Sequence, residues 1–183
     1  IMHKVISTFH QDQTMTLEIS GSGDNVSLSF TSGKETCDKH FELPLIDVDS
    51  DVLEIPEKDS DIDLIIASKK FSELISQFEI FDNTLSFKFT DEDIVMKATG
   101  VDGSMKASMS LDDVTEFALA EDKDEIKQSF ALRYIKMMCN FSKISKETNM
   151  EFTVGAPMKL KYDMAEDSYI QFYLAPKLSD DEE

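Results

Sequence analysis

Strict apolar–polar alternation runs through most of this chain and is interrupted by helical spacing in only two places. Met15, Leu17 and Ile19 alternate with Thr14, Thr16 and Glu18, and Val26, Leu28 and Phe30 alternate with Ser27 and Ser29. A period of two puts one set of side chains on a single face of a strand. The segment Gly21 to Asn25 between these runs has the composition of a hairpin turn. Phe41, Leu43 and Leu45 continue the pattern around Pro44, which has no N–H for a ladder; this predicts a strand with a free edge or irregular pairing. Further on, alternation returns at Ile62, Leu64 and Ile66; at Leu85, Phe87 and Phe89; at Ile94, Met96 and Ala98; and at Met105, Ala107 and Met109. Phe152 and Val154, then Met158, Leu160 and Tyr162, then Ile170, Phe172 and Leu174 complete it, and residues 115–128 read as two short acidic strands.

Phe71, Leu74, Ile75 and Phe78 recur at helical spacing and predict a helix over about 69–80. A second helix is predicted from near Ser129 to about 142, with Ala131, Ile135 and Met138 inward. Each helix is followed by a three-stranded meander, so the order reads as an internal duplication. Helices on one side of a largely antiparallel sheet make an α+β fold. The first 45 residues hold only a meander, with a helix end at Met2 to Phe9, and look like the last third of a similar unit. Ile1 is not a natural translation start, so the chain is expected to be trimmed or to lack its opening, leaving an apolar face of the meander at 12–45 exposed. Residues 46–60 are rich in Asp and Glu, contain Pro56 and read as a linker, with Leu53 and Ile55 as two apolar points that pin it to something.

Composition excludes several classes. The 183 residues are 41% hydrophobic and 30% charged, as in a folded protein rather than a disordered one. No stretch approaches the length of a membrane span, and no basic segment leads into an apolar run as in a signal peptide. His3, His10 and His40 lack neighbours at metal-ligand spacing, and the aspartates at 47–51 lack the glycine and glutamate of a calcium loop. There is no phosphate-binding loop and no nucleophile elbow. The expectation is a non-enzymatic protein with no metal and no cofactor. Cys37 and Cys139, far apart in apolar-patterned segments, are expected as buried free thiols.

The net charge of −19, from 37 acidic against 18 basic residues, disfavours a polyanion partner unless the cations are concentrated. On the second helix Arg133, Lys136, Asn140 and Lys143 recur at i, i+3, i+7 and i+10, opposite the apolar stripe and without carboxylates among them. Arg133 is the only arginine. An ordinary solvated helix face and a phosphate-contacting one both account for this pattern. Lys69 and Lys70 open the first helix but are offset by Glu73 and Glu79.

Three strings are more specific. Ser129-Phe130-Ala131-Leu132-Arg133-Tyr134, Tyr173-Leu174-Ala175-Pro176-Lys177 and Phe41-Glu42-Leu43-Pro44-Leu45-Ile46-Asp47, in this order and at these intervals, resemble the proliferating cell nuclear antigen family of DNA sliding clamps. The resemblance covers nearly the whole chain but only about the last two-thirds of a clamp subunit. It implies the DNA-clamp fold: antiparallel sheets outside, helices lining one face, and a head-to-tail homotrimeric ring. Residues 1–45 would be the C-terminal remnant of a first domain, 46–60 the interdomain connector, 61–178 the second domain and 179–183 an acidic tail. It further implies a processivity factor in the nucleus that encircles double-stranded DNA without reading sequence and docks DNA polymerase, ligase, nuclease and clamp-loader proteins. By the same resemblance Arg133, Lys136 and Lys143, then Lys69 and Lys70, meet DNA phosphates, with Asn140 at a place where relatives carry lysine. Leu53, Ile55, Pro157, Tyr173, Ala175 and Pro176 line the pocket for client peptides. Phe41, Leu43 and Met109, on strands near 37–45 and 103–111, join subunits. The alternative is a clamp-like interaction or decoy protein that binds client peptides without encircling DNA.

Overall fold

In the computed structural model the alternating runs become strands, and every strand pairing is antiparallel. The structure describes residues 1–19, 21, 23–46 and 58–178. The chain divides into two units, Ile1–Ile55 and Pro56–Glu183.

In the first unit a short helix α1 (Met2–Ile6) precedes a sheet of order β1 (Thr14–Ile19), β2 (Asn25–Thr31), β3 (Lys39–Pro44). The register sets Leu17 opposite Leu28 and Leu28 opposite Phe41, so one face carries the apolar row of all three strands. Val5, Val26, Leu28 and Phe30 form its core, with Phe9, Phe41 and Leu43 packed against them. Phe9 meets Phe30 edge-on at 5.3 Å between ring centroids. The apolar face is therefore only partly exposed: the β2 row is buried, whereas Met15, Leu17 and Ile19 on β1 are 47–64% exposed.

The second unit contains two sheets. Strand β4 (Ile62–Ala67) leads into helix α2 (Ser68–Phe78), followed by the meander β5 (Thr84–Thr90), β6 (Asp93–Gly100) and β7 (Gly103–Ser110). After a 3-10 turn at Leu111–Asp113 and β8 (Glu116–Leu119), strand β9 (Glu125–Ala131) leads into α3 (Leu132–Cys139) and a second meander, β10 (Glu147–Phe152), β11 (Met158–Asp163) and β12 (Tyr169–Leu174). The sheet orders are β7-β6-β5-β9 and β12-β11-β10-β4-β8. Each meander is thus completed by the strand that precedes the other meander's helix, which locks the two repeats into one core. Gly100 closes the β6–β7 hairpin where a Cβ would lie 2.0 Å from the Phe81 carbonyl oxygen.

On α2 the predicted Phe71, Ile75 and Phe78 are buried and Leu74 partly so; on α3 the predicted Ile135 and Met138 are buried together with Leu132 and Cys139, while Ala131 belongs to β9. The sheets meet through a cluster of aromatic rings. Phe152 of β10 packs at 4.6 Å from Phe89 and 5.3 Å from Phe87 on β5, and at 6.0 Å from Phe130 on β9. Such pairs add about 0.5–1.5 kcal/mol each beyond burial of their area.

Two expectations are corrected. Ser129, Phe130 and Ala131 are strand rather than helix: they pair with Ser86, Leu85 and Thr84, and the Ser86 and Ser129 hydroxyls are 2.8 Å apart. Phe130, fully buried in the aromatic cluster, holds this strand up to the first residue of α3. Of the two free thiols Cys139 is buried but Cys37 is exposed, because it lies in the loop between β2 and β3.

Candidate functional site

Helices α2 and α3 run in opposite directions. Glu79, at the end of α2, meets Lys136 in the middle of α3, while Lys69 and Ser72 near its start lie beside the turn 140–146 that follows α3. With the apolar stripes turned inward, the opposite face of this pair carries Lys69, Arg133, Lys136, Lys143 and Lys146 against Glu73 and Glu79, five cations to two carboxylates. Five of the 18 basic residues of a chain of net charge −19 thus share this face, where they outnumber the carboxylates.

The candidate cations are not equivalent. Lys136 is ion-paired with Glu79, so the stripe without carboxylates read from one helix is compensated from the other. Lys69 lies 3.9 Å from Glu73, an exposed i, i+4 pair worth a few tenths of a kcal/mol. Lys70 turns away from the others and donates to the Asp113 carbonyl oxygen at 3.0 Å. Arg133 lies over the Tyr134 ring at 4.5 Å and donates to its hydroxyl at 2.7 Å. Lys143 has no ion-pair partner among the described residues, nor does Lys146, which the spacing of the helix does not reveal because it lies beyond the helix end. Asn140 is exposed on the same face.

A second candidate surface lies at one end of the five-stranded sheet. The last register pair of β11 and β12 is Met158 with Leu174, so Pro157 just before β11 and Ala175 just after β12 are at the same end of that ladder. Tyr173 is 40% exposed and Ala175 is exposed, while Pro157 and Pro176 are half-buried. The segment is held in place from the other sheet: the Lys177 N–H donates to the Ser129 carbonyl oxygen at 2.7 Å and its ammonium to Thr84 Oγ1 at 2.7 Å. The neighbouring turn is tied down as well, by Gln128 Nε2 donating to the Thr153 carbonyl oxygen at 2.9 Å and the Val154 N–H donating to Asp61 Oδ2 at 2.7 Å. Val154, which alternation places in a strand, instead lies 55% exposed on this turn as an apolar contact point. Leu53 and Ile55 lie outside the described residues, as does the acidic tail at 179–183.

Strands β3 and β7 each end a sheet, paired on one side only among the described residues. Their apolar side chains point inward. Met109 is 4% exposed in the core of its own unit, and Phe41 and Leu43 pack against Phe30 and its neighbours, so what these strands offer a partner is backbone edge rather than apolar side chains. Among the described residues no group of three or more His, Cys, Asp or Glu side chains is placed to hold a metal ion, and no helix is long and apolar enough to cross a membrane.

Comparison with known proteins agrees with this arrangement. Residues 54–177 match the family model described as proliferating cell nuclear antigen, C-terminal domain. The chain is 26% identical over 186 residues to the proliferating cell nuclear antigen of Caenorhabditis elegans, covering 99% of this chain and 71% of that protein. It is 25% identical over 177 residues to proliferating cell nuclear antigen 2 of Drosophila melanogaster, covering 97% and 69%.

Proposed function

Since this chain belongs to the proliferating cell nuclear antigen family, we propose that it is a non-enzymatic DNA sliding clamp: a processivity factor that encircles duplex DNA without reading its sequence and tethers replication and repair proteins. The observation that carries this reading is the cationic face of α2 and α3 on so acidic a chain. On a helix face lysine as a point charge and arginine as a bidentate fork meet phosphates and read no bases, which a sliding protein requires. Arg133, Lys143 and Lys69 are the contacts in this proposal, with Lys136 available once Glu79 releases it.

Client proteins, among them polymerase, ligase, nuclease and clamp loader, dock through short peptides on the surface of Pro157, Tyr173, Ala175 and Pro176. The exposed Tyr173 ring on a segment pinned at Lys177 suits an aromatic anchor. The open edges of β3 and β7 pair between neighbouring copies, closing a homotrimer in the nucleus and covering edges that otherwise invite uncontrolled pairing. In this proposal residues 1–45, 46–60 and 61–178 are the end of a first domain, its connector and a second domain.

Topological retention tests the reading. Loaded on nicked circular duplex, the full chain is expected to stay bound through a high-salt wash and to be released when the circle is cut. Equal retention on linear and circular DNA overturns encirclement. The Lys136–Glu79 pair and the neutral Asn140 favour a second reading, a clamp-like protein that binds client peptides alone. Peptide binding without any retention on circles selects it.

A further inference from the structure

Gln13, Ser68, Gln128 and Thr148 are buried polar side chains. Three of them have a hydrogen-bond partner at every side-chain oxygen and nitrogen. The Thr148 hydroxyl donates to Ser68 Oγ at 2.9 Å, and the Gln13 amide donates to the Phe30 and Cys37 carbonyls at 3.4 and 3.2 Å while its oxygen accepts from the His10 N–H at 3.3 Å. Gln128 is the exception. It stands on β9 between Ile126 and Phe130, in a row that alternation reserves for apolar side chains, and opposite the buried Phe87. Its Nε2 donates to the Thr153 carbonyl oxygen at 2.9 Å, but its Oε1 is sealed from solvent without a partner among the described residues. Turning the amide over does not help, because its one neighbour is a carbonyl that only the NH2 end can meet. A buried oxygen left unpaired forfeits its hydration and recovers nothing. Methionine would fill this place without that loss, so the stability of the core does not account for a glutamine here.

What the glutamine holds is one peptide plane. The Thr153 carbonyl and the Val154 N–H belong to the same peptide unit, and each is taken by a side chain from a different sheet. Gln128 of β9 donates to the carbonyl, and Asp61, just before β4, accepts from the N–H at 2.7 Å. This unit opens the turn 153–156, which closes as the Ala156 N–H donates to the same carbonyl at 3.1 Å. Gly155, third in the turn, has a φ of +73°, the left-handed value that a type II turn requires there. A plane clamped at both edges fixes the direction in which Val154 leaves it. Val154 is 55% exposed, and Pro157 of the docking surface follows directly after the turn.

We propose that Gln128 is a positioning residue for client peptides: together with Asp61 it clamps the Thr153–Val154 peptide plane, and so sets Val154 and Pro157 in place on the docking surface. The assignment rests on the peptide-docking reading above. It accounts for an amide at a core position, because the unpaired oxygen accompanies the one donor that reaches the Thr153 carbonyl from β9. Methionine has a similar length and shape but no donor, which makes it the discriminating substitution.

The test compares Gln128→Met and Asp61→Ala with the parent, all as the full chain, by urea unfolding and by fluorescence anisotropy of a short labelled peptide. The probe carries two adjacent phenylalanines flanked by lysines, matched to an apolar surface on an acidic chain. Gln128→Met is expected to keep or raise the urea midpoint, since the unpaired oxygen is gone, and yet to weaken peptide binding about fivefold, the equivalent of one net hydrogen bond. Amide hydrogen exchange at Val154 is expected to quicken in the same variant. Asp61→Ala is expected to weaken binding by a similar factor, and the double variant by less than the product of the two, because both side chains act on one peptide plane. If Gln128→Met loses stability and affinity together, Gln128 serves the core alone and the positioning role is overturned. If it binds as the parent does while Tyr173→Ala loses affinity, the positioning role is wrong and the docking reading stands. If the parent does not bind the probe, the docking reading itself fails and the role of Gln128 with it.

Discussion

The Ser68 N–H, first in α2, donates at 2.9 Å to the carbonyl of Lys146, which follows α3. The relationship is reciprocal: the Leu132 N–H, first in α3, donates at 2.8 Å to the carbonyl of Asn83, which follows α2. Neither helix has a side-chain N-cap, so each takes a cap from the loop behind the other. Ser68 is held a second time, its hydroxyl accepting from the Thr148 hydroxyl at 2.9 Å within the core. First-turn amides ordinarily exchange quickly because nothing holds them. Hydrogen exchange at Ser68 and Leu132 is expected to be slow, on the scale of global opening, while the amides of Lys69 and Arg133 exchange faster. Equally fast exchange at all four would mean that the reciprocal caps do not hold in solution.

The Lys136–Glu79 pair sets how much charge the helix face presents. The two side chains are 47% and 41% exposed, so a double-mutant cycle is expected to give a coupling of about 0.2–1 kcal/mol and no more. Its larger effect is on the proposed partner. Glu79→Gln leaves Lys136 unpaired and is expected to tighten duplex binding and steepen the salt slope by up to about 0.9. Duplex binding that weakens in this variant would show that Glu79 has another role.

Phe152 joins the two sheets, packed against Phe87, Phe89 and Phe130. Truncating it removes ring packing against both β5 and β9 and leaves a cavity that rigid strands cannot close. Phe152→Ala is expected to cost about 3–5 kcal/mol in urea unfolding, whereas Phe141→Ala at the protein surface costs less than half of that. Similar losses from the two would place the aromatic centre elsewhere.

The periodicities recover most strands and both helices of the second unit because burial there is one-sided and regular, as where Val95 and Lys97 face away and Ile94, Met96 and Ala98 face in; the exception is β10, read at Phe152–Val154 and found at Glu147–Phe152. They cannot place the start of α3, since Phe130 satisfies a strand and a helix pattern equally until its pairing with Leu85 is known. Nor can they show that Lys136 is neutralised, because its carboxylate comes from position 79, on the other helix and 57 residues away in the chain. Lys146 is illegible for a similar reason: its place beside Lys69 is made by packing after the helix has ended. In the first unit, identical alternation on β1 and β2 hides a difference that only neighbours decide, with Leu28 fully buried and its partner Leu17 55% exposed.

On the proposed docking surface, Tyr173 offers an exposed ring whose hydroxyl accepts from Gln171, and Val154 lies on the turn preceding Pro157. Neither side chain is in the core, so Tyr173→Ala and Val154→Asp are expected to leave thermal stability within about 1 kcal/mol of the parent. Affinity for a labelled client peptide should fall at least tenfold in Tyr173→Ala. Unchanged peptide affinity in both variants would move the docking site off this end of the sheet.

The core also contains two acidic groups that folding keeps protonated. Burial pushes the Cys139 thiol up from its ordinary 9.0 to about 12, and burial followed by the neighbouring Cys139 pushes the Tyr162 phenol up from 10.0 to about 12. In both the folded value exceeds the unfolded one, so the unfolded chain gives up its proton first as pH rises. The stability they contribute is therefore complete below about pH 9 and drains away between 9 and 12. Urea midpoints are expected to fall across that window. The Tyr162 hydroxyl is buried beside the Thr148 hydroxyl and the Cys139 thiol without a well-formed hydrogen bond, and the desolvation cost of such a group, about 1–3 kcal/mol, is relieved by removal of the oxygen. Tyr162→Phe is thus expected to be neutral or stabilising at pH 7 and to lose stability less steeply than the parent between pH 10 and 12. Curves that stay parallel through that interval would show that the phenol does not titrate with unfolding, and that the alkaline loss belongs to the thiol and the lysines.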